Sequence, residues 1–277
     1  MEDPQIHTVG VVGLGRMGLP MARHVMRAGF AVEGFDRDPA RGRLLGESGG
    51  AARASLRDLA AGCDLVLVMV ADDAQVLDIC TGAGGILQHA RPDTALVISS
   101  TVKPTTCAQV AAAAAPRRIG VLDAPVARGQ RAAEEGTLTV FVGGDPVLAA
   151  RCRPVFEAFA REIEHVGDEV GAGQVAKLAN NLILWAGVVA VHEALALGEQ
   201  LGVSPVRLRD ALRHGSADGY ALRELHLVNL TWPHKDIEQA LEVAAQAGRE
   251  LPLTERVGML IRSLTRDELR RITRTES

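Results

Sequence analysis

Lys177 and Asn181 stand four residues apart in GAGQVAKLANNLILWAGVVAVHEAL, a stretch that is otherwise almost wholly apolar. Side chains at that spacing share one face of a helix, so an ammonium and a carboxamide project together. The pair suits proton transfer: the amine can give or take a proton beside a reacting oxygen, and the amide can orient the molecule that carries it. A lysine acts as a base near neutral pH when desolvation or a nearby cation lowers its pKa from about 10.4. The competing reading of Lys177 is a side chain snorkelling from a helix edge.

A second group of residues could hold phosphates. Ile6 to Val12 is a short β-rich run, followed by GLGRMGLPMARHVMRAG and then by AVEGFD, which again reads as a strand. The order strand, glycine turn, helix, strand frames Gly13, Gly15 and Gly18 with the spacing of a dinucleotide-binding turn. Leu14, Arg16 and Met17 complete that turn, and amides at the helix start would face a pyrophosphate. Asp36, about 20 residues on at a strand end, stands where a ribose hydroxyl would lie. Its carboxylate would repel a 2'-phosphate, which favours NAD. The adjoining Arg37 leaves NADP possible, or is a solvated or adenine-stacking side chain.

The elements around these residues alternate. CDLVLVMV, DTALVISS and the segments around VLDAPV and TLTVFVGG read as strands, with helices at DDAQVLDIC and from Pro104 to Ala115. That alternation predicts an α/β fold, a doubly wound, mostly parallel sheet with helices on both faces and ligands at the carboxyl ends of its strands. Met69, Val70 and Ala71 end one strand, and Ser100 and Thr101 another. Thr101 is either a ligand contact or a local cap.

After EIEHVGD the strand signals stop, and the rest reads as helix: a long segment over about 171–199, then Ser204 to His214, Asp236 to Ala247 and Pro252 to Leu264. Ser204 with Pro205 has the form of an N-cap and first-turn proline. The expected division is a nucleotide-binding domain over 1–166 and an all-helical domain over 167–277, joined by the long helix. From Gln174 to Leu197 that helix is apolar almost all round, so it belongs in a core or between domains, with Lys177 facing an interdomain cleft. His192 on it reads as a packed core histidine.

Composition narrows the function classes. Of 277 residues, 47% are hydrophobic and only 3% aromatic, and the net charge is -4 with dispersed basic residues, so neither nucleic acid nor an anionic membrane is an expected partner. Cys63, Cys80, Cys107 and Cys152 form no metal or disulfide spacing, and the histidines are scattered, so no metal is expected and the thiols read as reduced and semi-buried in a cytoplasm. No apolar run reaches the roughly 20 residues of a membrane span, and MEDPQIHT lacks the regions of a signal peptide. The apolar surface of the helical half suggests a homodimer or higher homo-oligomer.

Taken together, the chain resembles the β-hydroxyacid dehydrogenase family, which includes 3-hydroxyisobutyrate dehydrogenase and tartronate semialdehyde reductase. The likeness runs through four blocks: GLGRMGLPMA, DAPVARGQRAAEEGTL from Asp123, GAGQVAKLANN from Gly171 and HKDIEQAL from His234. It implies an NAD(P)-dependent dehydrogenase acting on a small anionic substrate. Lys177 would be the catalytic lysine, Asn181 and Asn180 substrate-side amides, Thr101 a neighbour of the nicotinamide and Lys235 a cofactor contact.

Two departures stand out. The family's substrate loop usually reads DAPVSGG, where serine and glycines hold a carboxylate; here Ala127, Arg128 and Gly129 occupy those positions. Arg128 could supply a planar fork for a carboxylate, sulfonate or phosphate, or simply face solvent. The stretch 215–235 is shorter than usual, and Trp232 either fills the space or packs in the core. Retention of the lysine argues against imine reductases, and Asn180 stands where 6-phosphogluconate dehydrogenases would place a histidine. A sulfonated-aldehyde or ketone reductase, and a catalytically silent cofactor-binding module, are the other readings.

Overall fold

The computed structural model describes residues 5–273; the first four residues of the polar N-terminus lie outside them. The chain divides into two compact units, 1–177 and 178–277.

The first unit runs β1 (Thr8–Val12), α1 (Gly18–Arg27), β2 (Ala31–Phe35), α2 (Pro39–Glu47), β3 (Ala51–Ala52), α3 (Leu56–Gly62), β4 (Leu65–Val68), α4 (Asp73–Thr81), α5 (Ile86–His89), β5 (Ala95–Ile98), α6 (Pro104–Ala114), β6 (Gly120–Asp123), β7 (Val126–Ala127), α7 (Gly129–Glu135), β8 (Leu138–Gly143), α8 (Pro146–Glu157) and β9 (Ala160–Gly167). The strands form one sheet in the order β3-β2-β1-β4-β5-β6-β8-β7, with β9 on β8. Pairing is parallel from β3 through β6, and β8 enters antiparallel to β6 and β7.

Central strands covered on both faces need apolar residues at every position. β4 and β5, LVLV and ALVI, are buried throughout. Leu65 and Leu67 join one apolar cluster while Val66 and Val68 join the other, the alternation that a pleated strand imposes. Strand order reverses beside β1, whose neighbours are β2 and β4. Ligands bind such sheets at that reversal, beyond the carboxyl ends of the strands. The Met69 amide bonds the Val12 carbonyl there at 2.8 Å, setting the loop after β4 against the glycine turn after β1.

The helix α9 (Ala172–Gln200) begins in the first unit and continues into the second, followed by α10 (Pro205–Leu212), α11 (Tyr220–Glu224), α12 (Pro233–Gln246), α13 (Pro252–Ile261) and α14 (Arg266–Arg271). In the second unit Trp185, Val188, Val189 and Leu195 form a stripe at helical spacing, buried among residues that include Leu225, Ile237 and Val257.

Several expectations need correction. α9 is not buried all round, since Ile183 is 75% exposed and Val175 and Leu197 are also exposed. Uniform apolarity hides periodicity: only the stripe through Trp185 packs. The helix is also long and apolar enough, by length and composition, to cross a membrane, contrary to the expectation that no run reached that size. His192 is half-buried with Glu268 in electrostatic reach, so it is not a core histidine. Trp232 is exposed, so it does not pack in the core. Ser204 occupies the N-cap of α10, but its side chain makes no capping bond. All four cysteines are free and fully buried rather than semi-buried, and burial pushes the Cys63, Cys80 and Cys152 thiols up to about 12.

Candidate active site

In the turn after β1, each glycine has its own physical reason. Gly13 has φ of 91°, and a Cβ there would lie 2.2 Å from the Met69 carbonyl oxygen. A Cβ on Gly18 would lie 1.9 Å from the Gly13 oxygen, so that glycine lets α1 close onto the turn. Gly15 differs: no protein atom lies within 4 Å of where its Cβ would be, and its backbone is not left-handed. Nothing inside the protein requires a glycine there, whereas a pyrophosphate approaching the backbone does. Met17, the N-cap of α1, provides no capping bond, and the first turn contains no acid. Phosphate oxygens suit such a helix start.

Asp36 stands just past β2 with both carboxylate oxygens oriented. Its Oδ2 accepts from the Leu14 amide at 2.8 Å and its Oδ1 from the Asp38 amide at 2.9 Å. The carboxylate is thereby tied to the glycine turn, with further lone pairs for a ribose hydroxyl. Arg16 and Arg37 are exposed, and the Leu14 side chain is buried in the core. These residues fit a dinucleotide.

The loops after β4 and β5 are joined as well. The Val70 amide donates to Ser100 Oγ at 2.7 Å. Thr101 is half-buried, and Lys103 rather than Thr101 is the N-cap of α6, so Thr101 is not a cap of that helix. Met69 and Val70 are half-buried and Ala71 is exposed where the chain leaves β4.

α9 starts beside the end of β6. Asp123, fully buried, accepts from the Gly171 and Gln174 amides, each at 2.6 Å. Burial pushes its carboxyl up, while those amides pull the other way. Lys177 follows one turn along the helix and is half-buried. Asn181, one turn further, is buried, and its Oδ1 accepts from Asn180 Nδ2 at 3.1 Å. The sequence alone assigns no role to Asp123, Ser100 or Gln174, though a glutamine in an apolar helix three residues before a lysine is a usable signal.

The turn after β7 is strained. Arg128 has φ of 83°, a left-handed conformation that L side chains rarely adopt. Gly129 follows at φ of 75° with open space where a Cβ would be. Ala127 is buried and Arg128 is exposed. Lys235 belongs to the second unit, half-buried in the first turn of α12, where the Trp185 indole donates to Asp236 Oδ2 at 3.0 Å. Among the described residues no group of three or more His, Cys, Asp or Glu could hold a metal ion.

Two family models match the chain. Residues 8–167 fit the NAD-binding domain of 6-phosphogluconate dehydrogenase, and 171–275 fit the NAD-binding model of NADP-dependent 3-hydroxyisobutyrate dehydrogenase. An NAD-dependent L-serine dehydrogenase of Pseudomonas aeruginosa is 37% identical over 81% of this chain and 74% of its own length. A 2-(hydroxymethyl)glutarate dehydrogenase of Eubacterium barkeri is 32% identical over 89% of this chain and 85% of its own. A solved structure of Mycobacterium tuberculosis 3-hydroxyisobutyrate dehydrogenase with L-serine superimposes with a TM-score of 0.86 at 31% identity, covering 93% of each chain.

Proposed function

Because the chain belongs to the β-hydroxyacid dehydrogenase family, and is an NAD(P)-dependent dehydrogenase acting on CH–OH groups, we propose that it interconverts a short β-hydroxyacid and its semialdehyde with Lys177 as general acid and base. The observation that carries this reading is the place of Lys177: half-buried, one turn into α9, in the same compact unit as the glycine turn. The relatives act, by their names, on L-serine and 2-(hydroxymethyl)glutarate, which are both small hydroxyacids.

When bound, the nicotinamide supplies hydride chemistry at carbon. Lys177 takes the hydroxyl proton as the alcohol is oxidised; in the other direction its ammonium returns that proton and polarises the carbonyl. Asn181, with Asn180, orients the substrate. Arg128, with Ala127 and Gly129, receives the anionic end. Its fork also fits a sulfonate, which makes a sulfonated aldehyde the second reading. Thr101 adjoins the nicotinamide, and Met69 to Ala71 line its side of the site.

Gly13, Leu14, Gly15, Arg16, Met17 and Gly18 receive the pyrophosphate. Asp36 receives the ribose, and its carboxylate favours NAD over NADP, with Arg37 acting in the opposite sense. Lys235 as a cofactor contact rests on the HKDIEQAL segment. A boundary between the two domains at 166/167 is supported by the family models, of which one ends at 167 and the other begins at 171. Exposed apolar side chains such as Ile183 and Leu201 support a homo-oligomer, and buried reduced thiols support a cytoplasmic setting.

Lys177→Ala tests the assignment: turnover falls by about three orders of magnitude while the dissociation constant for NAD, read by fluorescence titration, hardly moves. A variant that kept wild-type turnover on short β-hydroxyacids would remove Lys177 from the mechanism. A parallel screen of hydroxyacids, sulfonated analogues and their semialdehydes with both cofactors chooses between the two substrate readings.

A further inference from the structure

Gln174 is fully buried at the start of α9, and both ends of its carboxamide are occupied. Its Oε1 accepts from the Val102 amide at 3.1 Å, and its Nε2 donates to the Ser100 carbonyl at 2.9 Å. Those two groups flank Thr101. The Gln174 amide donates in turn to Asp123 at the end of β6, and Ser100 Oγ holds the Val70 amide after β4. The Gln174 side chain therefore ties the segment after β5 to the first turn of α9, while its backbone amide holds the end of β6 and Ser100 Oγ holds the loop after β4. Two glycines make room for this knot: a Cβ on Gly143 would lie 2.4 Å from Asp123 Oδ1, and one on Gly173 2.8 Å from Asp123 Oδ2.

A buried amide is unfavourable unless bonded, and an apolar side chain of similar volume would fill the space without that burden. What the amide adds is geometry, since a fully satisfied buried network specifies one arrangement of its parts. Lys177 lies three residues on from Gln174, on the same helical face. A helix turn is stiff, so a slide or rotation permitted at Gln174 is carried to Lys177. We infer that Gln174 is a positioning residue, which sets the register between the Lys177 amine and the Thr101 segment by clasping the peptide groups on both sides of Thr101. The inference rests on Lys177 being the general acid and base.

Two substitutions test it, with Lys177→Ala measured beside them. Gln174→Met keeps the volume and removes both side-chain bonds; kcat falls on the order of 100-fold, the loss typical of misplacing a catalytic group by about 1 Å, while NAD affinity stays within about twofold. Gln174→Glu keeps the shape but donates to the Ser100 carbonyl only when protonated. The groups facing it are Asp123 on β6, Cys107 on α6 and, one turn along α9, Lys177, and burial and the Asp123 carboxylate raise its pKa against the pull of the Lys177 ammonium. Its kcat relative to the unaltered enzyme therefore climbs by about tenfold between pH 8 and pH 6. This variant also serves if Gln174→Met does not fold, because at low pH it retains both bonds to the peptide groups beside Thr101.

A lowered Tm with unchanged kcat and a pH-independent ratio would mean that Gln174 is structural only, and overturns the inference. If Lys177→Ala is inactive while both Gln174 variants keep their kcat, the clasp alone fails. Full activity in Lys177→Ala overturns the lysine assignment and the inference together.

Discussion

At the end of β1 the chain turns through a left-handed residue that is glycine; at the end of β7 it does so through an arginine. Both turns belong to one sheet. In the first, Gly13 and Gly18 are demanded by neighbouring backbone and Gly15 by nothing within the protein. In the second, Arg128 holds a conformation that glycine would adopt freely, followed by a glycine with open space around it. The cofactor turn meets its steric demands with the residue that satisfies them. The other turn keeps a guanidinium where sterics disfavour one, and strain of that kind collects where a side chain is needed for function.

Substitution at the two internally demanded glycines gives the largest expected effect. Gly13→Ala brings a methyl to within 2.2 Å of the Met69 oxygen at positive φ, and Gly18→Ala to within 1.9 Å of the Gly13 oxygen. Neither obstacle is the end of a flexible side chain. Overpacking against backbone, joined at Gly13 by left-handed strain, lowers stability by about 3 kcal/mol, to be read from urea unfolding. A loss below about 0.5 kcal/mol, the level of an ordinary surface substitution, would show that the turn relaxes and that the contrast with Arg128 is not steric.

Gly15→Ala separates ligand from fold. No atom waits for the new methyl and φ is not positive, so the unfolding midpoint stays where it was. The dissociation constant for NAD rises by about tenfold, because a methyl now stands where backbone must meet pyrophosphate. Equal affinity in the variant and the parent would leave Gly15 without a reason.

The difference between the turns also marks what could be read from sequence. Strands such as LVLV and ALVI, and the spacing of the three glycines, are local patterns, and the sheet and its first turn follow from them. The two-residue β3 is too short to leave a pattern. The open face of α9 was hidden for another cause: Ile183 and Val188 have the same chemistry, and only the packing around Trp185 tells the buried one from the exposed one. Gln174 shows a third limit. Its partners Ser100 and Val102 lie 74 and 72 residues away, so its role emerges only once β5 and α9 are side by side. The left-handed φ of Arg128 was equally out of reach, because the expectation for that loop came from a family pattern in which glycine would have hidden the strain.

Arg128→Gly gives a small stability effect and the most discriminating sign. A left-handed L residue is disfavoured by roughly 1–2 kcal/mol, while a new glycine adds unfolded-state entropy worth about 0.4–1 kcal/mol in the opposite direction. The net gain in stability is about 0.5 kcal/mol, a small rise in Tm in place of the loss that most substitutions bring. In the same protein KM for anionic hydroxyacids rises, because the charge-assisted bonds of the guanidinium are gone. Stability and substrate affinity thus move in opposite directions, which a solvent-facing arginine does not do: its removal would raise Tm and leave KM where it was. Gly129→Ala supplies the mirror experiment, since it introduces left-handed strain one residue away without touching the charge, and by the same two opposing effects it should lower stability by about 0.5 kcal/mol.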